Sequence, residues 1–539
     1  MPERRLGMVV SGSLTGGVEV RLDSGVSVED IAVGRYVTIG GQKRRFFGMI
    51  TDVSLDTSDP RMMASPPDVT DPFIAEVVSG TSTFGRLHVL PLLTIGGDAE
   101  SLLQGPQPVK TVPAHFSAVH DAGEEDVAQV FGQVEEKQFY IGTPLDMETK
   151  VRLDPAELVK RSNGVFGKSG TGKTFLARLV LIGIIQENAA VNLIFDMHNE
   201  YGWKGTSEGG GTVKSLKQLF PSSVAVFALD AESARRRKVS VDSIVEIGYD
   251  EIEPEDIAML RETLGLTDAA VDATYRLAGR FGRDWLQRFL GIKDKEELVE
   301  LTSVGQEHEG TISALRRRLD TLTRLGFLTT KTKNNAIQGI MGYLDRGIHV
   351  VLDFGRYSDN LAAYMLVANL LTRRIHEKYR ERMERATAED GAKPRPLVIT
   401  IEEAHKFLSR ELAGQTIFGT IAREMRKYNV SLMVIDQRPS GIDEEVMSQM
   451  GTKITCLLDN ERDIESVLTG VSGKSELKGV LAKLDSRQQA LIFGHAVPMP
   501  VVVRTRDYGS AASYKELGFR DALEAKKAAE EDIRDLFPE

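Results

Sequence analysis

A single cysteine, Cys456, is all the thiol chemistry available to this chain of 539 residues. That excludes an intrachain disulfide framework and a cysteine-rich zinc site, and it suits a reducing cytosol. On its own Cys456 reads as a small buried apolar residue. Long apolar runs are also missing: none approaches the roughly 18–20 residues of a membrane span. Met1-Pro2-Glu3-Arg4-Arg5 leads into no signal-peptide core, so a cytoplasmic protein with no membrane partner is expected. Positive charge is short, with 67 Lys and Arg against 78 Asp and Glu and a net charge of −11. The surface as a whole is therefore not the basic face of a simple DNA-binding module, and any nucleic-acid contact has to be local, such as a lined channel. Neither an internal repeat nor a low-complexity tract is present, and no nuclease metal cluster is evident. Any cleavage would come from a partner. The chain is too long for one ordinary core, and at roughly 150 residues per domain it predicts three or four units.

What is there begins with Gly167-Lys168-Ser169-Gly170-Thr171-Gly172-Lys173-Thr174, which follows the apolar Val165-Phe166 and fits G-x-x-x-x-G-K-[ST] without a mismatch. Glycines let such a loop wrap so that its N–H groups converge on phosphate oxygens, while Lys173 reaches the β/γ-phosphates and the Thr174 hydroxyl holds Mg²⁺. The run from Phe175 to Ile182 reads as a helix whose N-terminal dipole adds to the anion site. ATP and Mg²⁺ are the expected cofactors.

Around this motif the chain changes rhythm several times. From Leu6 to about Leu93, short β-rich runs alternate with Gly or Asp turns, predicting a small barrel or sandwich. Asp56 to Asp71 reads as a long loop, and Gly96 to about Gln138 as a weakly marked extension plus linker. Val191–Asp196, Val224–Phe227, His349–Asp353, Leu397–Ile401 and Ser431–Ile435 then read as buried parallel strands separated by helices. Between about Val241 and Leu344 the spacing is helical with no strand, predicting an insertion that includes Pro254–Leu264, Ala269–Phe281, Lys293–Leu301 and Ile312–Leu325. Ala386–Pro396 reads as a loop and Asp521–Phe537 as a charged helix. The boundaries this suggests are 1–122 for the barrel and its extension, 123–150 for a linker, 151–240 and 346–510 for the two parts of an α/β core, 241–345 for the helical insertion and 511–539 for a terminal helix.

Leu397-Val398-Ile399-Thr400-Ile401-Glu402-Glu403-Ala404-His405 is the second element an NTPase needs, a buried strand ending in acids. Glu402 is assigned to ordering Mg²⁺ through its water and Glu403 to polarising the attacking water. A third strand ends in Ile435-Asp436-Gln437-Arg438-Pro439. There Gln437 reads either as a γ-phosphate sensor or as part of a turn stopped by proline. Arg423 and Arg426 lie on a basic helical end just before that strand. Either could enter a neighbouring subunit's site, and both serve equally well on a solvated face.

Together the phosphate loop, the E-E-A-H element, the Gln437-Arg438-Pro439-Ser440 run and the N-terminal barrel resemble the HerA/FtsK class of ring ATPases, HerA most closely. The resemblance covers nearly the whole chain. It implies an α/β fold: a RecA-like P-loop NTPase core with an N-terminal HAS-type β-barrel, an inserted helical bundle and a C-terminal bracing helix. It further implies a homo-hexamer that translocates double-stranded DNA through a central pore. A NurA-type nuclease or a phage-defence effector would sit at the barrel face. Carried over by motif, Lys173, Glu403, Gln437 and Arg426 become catalytic, with Arg426 as a trans-acting finger and Arg423 as its alternate. Gly167, Lys168, Ser169, Gly170, Thr171, Gly172, Lys173, Thr174 and Phe175 hold the nucleotide. Asp196 falls in the D-x-x-x-E-Y element, and Arg161 matches an arginine placed near the nucleotide in cis. Glu402 departs from the family's usual Asp. DNA contacts are poorly legible: Lys43-Arg44-Arg45, Arg235-Arg236-Arg237, Arg316-Arg317-Arg318 and the loop from Lys204 to Lys217 are candidates, and each is equally a solvated surface. Two other readings stand beside the motor. One is an ATPase ring that serves mainly as scaffold or activator of an effector; the other, suggested by the barrel alone, is a rotary ATPase subunit.

Overall fold

A computed structural model describes residues 4–96, 105–131, 138–145, 147–206, 211–238, 240–293, 297, 309–332, 335–389, 391–414, 416–424, 427–471 and 473–519. The first 121 residues build a barrel from strands Arg5–Ser13, Gly17–Leu22, Tyr36–Gly40, Arg44–Thr57, Thr83–Gly96 and Ala118–Asp121. Pairing of the second strand with Thr83–Gly96 closes the circle. Alternation drives the closure: Val18, Val20 and Leu22 point inward and face Leu87 and Val89 across the seam.

The weakly marked stretch after Gly96 supplies a barrel strand, Ala118–Asp121, which pairs with both Arg5–Ser13 and Tyr36–Gly40. The expected loop from Asp56 to Asp71 is shorter than its prolines suggested. It contains a turn of helix, Arg61–Ala64, and leads into helix Pro72–Thr81. Pro72 opens that second helix, where its missing N–H costs nothing, and Asp71 caps it by accepting from the Phe73 N–H at 2.9 Å.

Beyond the barrel, one large sheet runs in the order 224–228, 349–353, 191–196, 397–402, 430–436, 163–166, 452–455, with these strands parallel. Antiparallel strands Gln489–Gly494, Val501–Thr505, Phe139–Thr143 and Val151–Leu153 extend one side. The central strands are buried throughout and mostly apolar, because both faces are covered. Helices Lys173–Gln186, Leu361–Ala388 and Ile417–Glu424 make three of the crossovers. The 28-residue helix Leu361–Ala388 carries three residues into the predicted loop at Ala386. Its first half, Ala363 to Thr372, is buried on every side, and its second half is charged.

The insertion is helical as expected, with Pro254–Met259, Arg261–Leu264, Asp268–Phe281, Trp285–Gly291, Glu309–Asp320 and Ala336–Asp345. Most of the predicted segment Lys293–Leu301 lies outside the described residues, as do Arg426 and everything after Phe519. Contrary to the sequence reading, short strands occur here: Ser243–Ile244, Ile247–Gly248 and Leu328–Thr329. Two residues are too few for a period of two to show. Among the described residues, no helix is long and apolar enough to cross a membrane.

An ionic knot fastens the insertion to the long helix. Asp256, fully buried, accepts from Arg373 Nη2 at 2.8 Å and from Asn369 Nδ2 at 3.2 Å, while Glu253 pairs with Arg373 and Arg374. Burial pushes the Asp256 carboxyl up to about 6 against the pull of Arg373. Asp256→Ala would strip the buried guanidinium of one of its two acids, so we expect a loss of about 3 kcal/mol. Denaturant unfolding checks this, and a loss below about 1 kcal/mol, the worth of a surface ion pair, would show that the knot is not a fastening.

Candidate active site

Parallel register brings the chemistry to one rim. Phe166 sits opposite Asp436, Glu402 opposite Ile435, and Asp196 opposite Asp353, so each of these strands delivers its last residue to the same C-terminal edge. From Phe166 the chain enters the glycine loop. Gly167 has φ 152°, and a β-carbon there would lie 2.8 Å from both Cys456 Cβ and Thr171 Oγ1. Gly172, at φ 86°, turns the chain into helix Lys173–Gln186. The loop leans on the neighbouring strand: Cys456 N–H donates to Phe166 O at 2.8 Å and Lys168 N–H to Leu457 O at 3.0 Å. Cys456 is buried, and burial pushes its thiol up to about 11, so it packs and does not react.

Lys173 Nζ donates to the Lys168 carbonyl at 2.9 Å, folded back over its own loop. Burial lowers the pKa of this ammonium, opposed by Cys456, Glu403, Asp436 and Glu402. A triphosphate would supply the charge that burial denies it.

The two acids of the E-E-A-H element separate sharply. Glu402 is fully enclosed: Tyr201 Oη donates to its Oε1 at 3.2 Å, and Oε2 has no partner among the described residues. Burial first, and then the charges of Glu200 and Asp196, raise its pKa well above the ordinary carboxylate value. An enclosed carboxylate with one oxygen to spare, together with the Thr174 hydroxyl in the first turn of helix Lys173–Gln186, is the kind of hard oxygen donor Mg²⁺ takes beside phosphates. Among the described residues no cluster of three or more His, Cys, Asp or Glu offers an all-protein metal cage.

Glu403 is more open and has φ 50°, a left-handed conformation that costs a non-glycine residue about 1–2 kcal/mol. Its Oε1 accepts from Gln437 Nε2 at 2.9 Å, so the third strand's amide holds the acid of the second. Next to it, Asp436 accepts from the backbone N–H groups of His405 and Arg438 at 2.7 and 2.6 Å, and His405 Nδ1 lies 2.9 Å from its Oδ2.

Arg161 precedes strand Asn163–Phe166 and so lies at the strand end away from the loop, where its stem packs on Gly451. Both oxygens of Asp196 accept from backbone N–H groups, those of Glu200, Tyr201 and Gly202, at 2.6, 2.9 and 2.8 Å. It anchors a loop, and burial pushes its carboxyl up to about 6. Arg423, the alternate finger, donates to Ala413 O at 2.8 Å.

The basic clusters are partly spent inside the chain. Arg45 pairs with Asp126 at 2.7 Å, Arg237 with Asp353 at 2.5 Å and Lys217 with Asp242 at 3.1 Å. Lys43, Arg44, Arg235, Arg236, Arg317 and Arg318 are exposed.

A feature invisible in the sequence adjoins the loop. A cavity of about 350 Å³ is lined by Thr171, Phe175, Gln488, Arg506 and Tyr508, with Cys456 at its floor. Phe175 was expected from its place in the motif. The other wall comes from residues more than 300 positions later that carry no local signature.

The fold and this rim define an ATP-hydrolysing P-loop enzyme with an N-terminal barrel. Two family models match the chain: the central domain of the helicase HerA over residues 139–375 and the HAS barrel domain over residues 6–98, together more than half its length. The middle of the chain thus matches the HerA helicase family and its N-terminal part the HAS barrel. It is 26% identical over 421 residues to the DNA double-strand break repair helicase HerA of Pyrococcus furiosus, covering 72% of this chain and 73% of that one. Against the protein of the same description from Sulfolobus acidocaldarius, identity is 24% over 532 residues, 97% of this chain and 98% of that one. Likeness to solved structures is fainter. VirB4 of Thermoanaerobacter pseudethanolicus gives a TM-score of 0.43 at 14% identity, covering 70% of this chain and 98% of that one.

The bond to Asp436 raises the pKa of His405. Its stabilisation is therefore complete below the unfolded value of about 6.5 and fades as pH rises through the raised native value. His405→Asn should cost about 1–2 kcal/mol at pH 6 and distinctly less at pH 9. Unfolding measured at both values checks the sign; a cost that is the same at both would remove the charged pair from the account.

Proposed function

We propose that this chain is the motor subunit of a hexameric ring that moves double-stranded DNA through its central pore at the expense of ATP. The observation that carries the reading is the grouping of Lys173, Glu402, Glu403 and Gln437 on one sheet rim, with Gln437 holding Glu403 at 2.9 Å. The relatives' description as DNA double-strand break repair helicases, over 97% of the chain in one case, supports DNA as the track. Repair is the setting those names point to; defence against phage is the alternative setting. A NurA-type nuclease or a defence effector docks at the barrel face, and the work is done in the cytoplasm.

In this mechanism the N–H groups of the loop and the Lys173 ammonium gather the phosphates, and Thr174, with Glu402 through a water, would hold Mg²⁺. When bound, that ion offsets charge on the β/γ-phosphate oxygens. Glu403 draws the proton from the attacking water. Gln437 orients Glu403 and exchanges its amide bond as the γ-phosphate comes and goes. Arg426 of one subunit completes the site of the next, its planar charge matched to the transferring phosphoryl group.

The reading is tested by hydrolysis and size together. The purified chain should form a six-subunit particle whose ATPase rises with double-stranded DNA of any sequence. DNA affinity should fall by ~10³ or more between 50 and 200 mM salt, as expected for six or more phosphate contacts. Lys173→Ala should lower turnover by at least ~10²-fold with or without DNA. A monomer whose ATPase ignores DNA would contradict the motor, and a DNA-indifferent ring would favour the scaffold.

A further inference from the structure

Tyr201 is wholly buried, and its hydroxyl reaches the site's most enclosed acid, donating to Glu402 Oε1 at 3.2 Å. The loop that carries it is shaped for that placement. Asp196 gathers the N–H groups of Glu200, Tyr201 and Gly202, which fixes the backbone on either side of the phenol. Arg178, only 2% exposed, comes from the phosphate-loop helix and donates to the Glu200 carbonyl. Its guanidinium carbon lies 5.9 Å from the Tyr201 ring centroid, 5.5 Å from that of Phe175 and 5.7 Å from that of Tyr508. The last two rings line the cavity beside the loop. A buried arginine set among three rings, with a carbonyl to donate to, is a rigid strut.

We propose that Tyr201 is a positioning residue for the cation. Its hydroxyl fixes the Glu402 carboxyl through Oε1, which would leave Oε2 available to a water of the metal, and Arg178 braces it against the walls of the cavity beside the loop. The inference rests on the reading of Glu402 as the acid that orders Mg²⁺. It gives a function to the longer side chain at that position. One methylene more than Asp adds a rotatable bond, and the phenol hydroxyl takes that freedom away. A neighbouring tyrosine provides the contrast. Tyr364 Oη also meets Glu402, but at the backbone, accepting from its N–H at 3.2 Å and donating to its carbonyl at 3.0 Å. Tyr364 therefore holds the strand end, whereas Tyr201 holds the carboxyl.

The test is a Mg²⁺ titration of fluorescent ATP binding to the full-length chain, read by anisotropy and repeated in EDTA. Tyr201→Phe removes one oxygen from a packed ring. The Mg²⁺ concentration for half-maximal binding should rise ~10-fold, the usual effect of losing a group that orients a metal ligand. Affinity in EDTA should stay as in the parent, which also reports an intact pocket, and kcat should recover at saturating Mg²⁺. Arg178→Lys, which keeps the charge but loses the planar stack, should shift the titration the same way. An unchanged half-saturation in Tyr201→Phe, or an equal shift in Tyr364→Phe, would overturn the proposal. A parent protein whose binding ignores Mg²⁺ would instead overturn the assignment of Glu402 beneath it.

Discussion

Everything at the site depends on parallel strand register. Because neighbouring strands run the same way and end together, Phe166, Asp196, Asp353, Glu402 and Asp436 arrive at one edge, although 270 positions separate the first from the last. The interior supplies the register. Strands 191–196, 397–402 and 430–436 are buried along their whole length, mostly apolar and uncharged until their last residue, so sliding any of them would draw a carboxylate into the core or push an apolar residue into the rim. The same packing that stabilises the sheet therefore places its acids.

Crowding five carboxylates on one rim raises an electrostatic problem, which the chain solves unequally. Asp196 is neutralised by three N–H groups, Asp353 by Arg237 and the Gly355 N–H, and Asp436 by His405 and two N–H groups. Those three are structural. Glu402 keeps an oxygen unmatched, and Glu403 beyond it is held by the Gln437 amide and, at 3.8 Å, by His405. The acids left least settled are the two to which the proposed mechanism gives the chemistry. Strain follows the same division, since Glu403 carries the left-handed backbone and Glu402 an extended one.

Legibility followed locality. The phosphate loop was readable because its eight residues act as one turn, and strands such as His349–Asp353 because a buried parallel strand is a continuous apolar run. Glu402 and Glu403 could be told apart only by order along the strand. What hid was whatever depends on a distant partner. The cavity wall at Gln488, Arg506 and Tyr508 meets the loop through folding alone. The strand Ala118–Asp121 is too short to show a period, yet it completes the barrel. Arg161 was assigned by resemblance alone, and its place before strand Asn163–Phe166, at the end away from the loop, could not be read from the motif. Tyr201 stood in a motif whose acid drew the attention, and its role emerged from the length of its side chain and from what that side chain reaches.

The account's central claim is that Glu403 does the proton chemistry at a site whose binding apparatus lies elsewhere. The direct measurement is the fate of ATP on Glu403→Gln protein: nucleotide retained after rapid gel filtration with Mg²⁺, then separated into ATP and ADP. An amide at this position keeps the hydrogen-bonding shape but cannot accept the proton, so the variant should retain ATP unhydrolysed, with turnover reduced by ~10²-fold or more. ADP recovered at the parent's rate would contradict the claim and move the chemistry to another group on the rim.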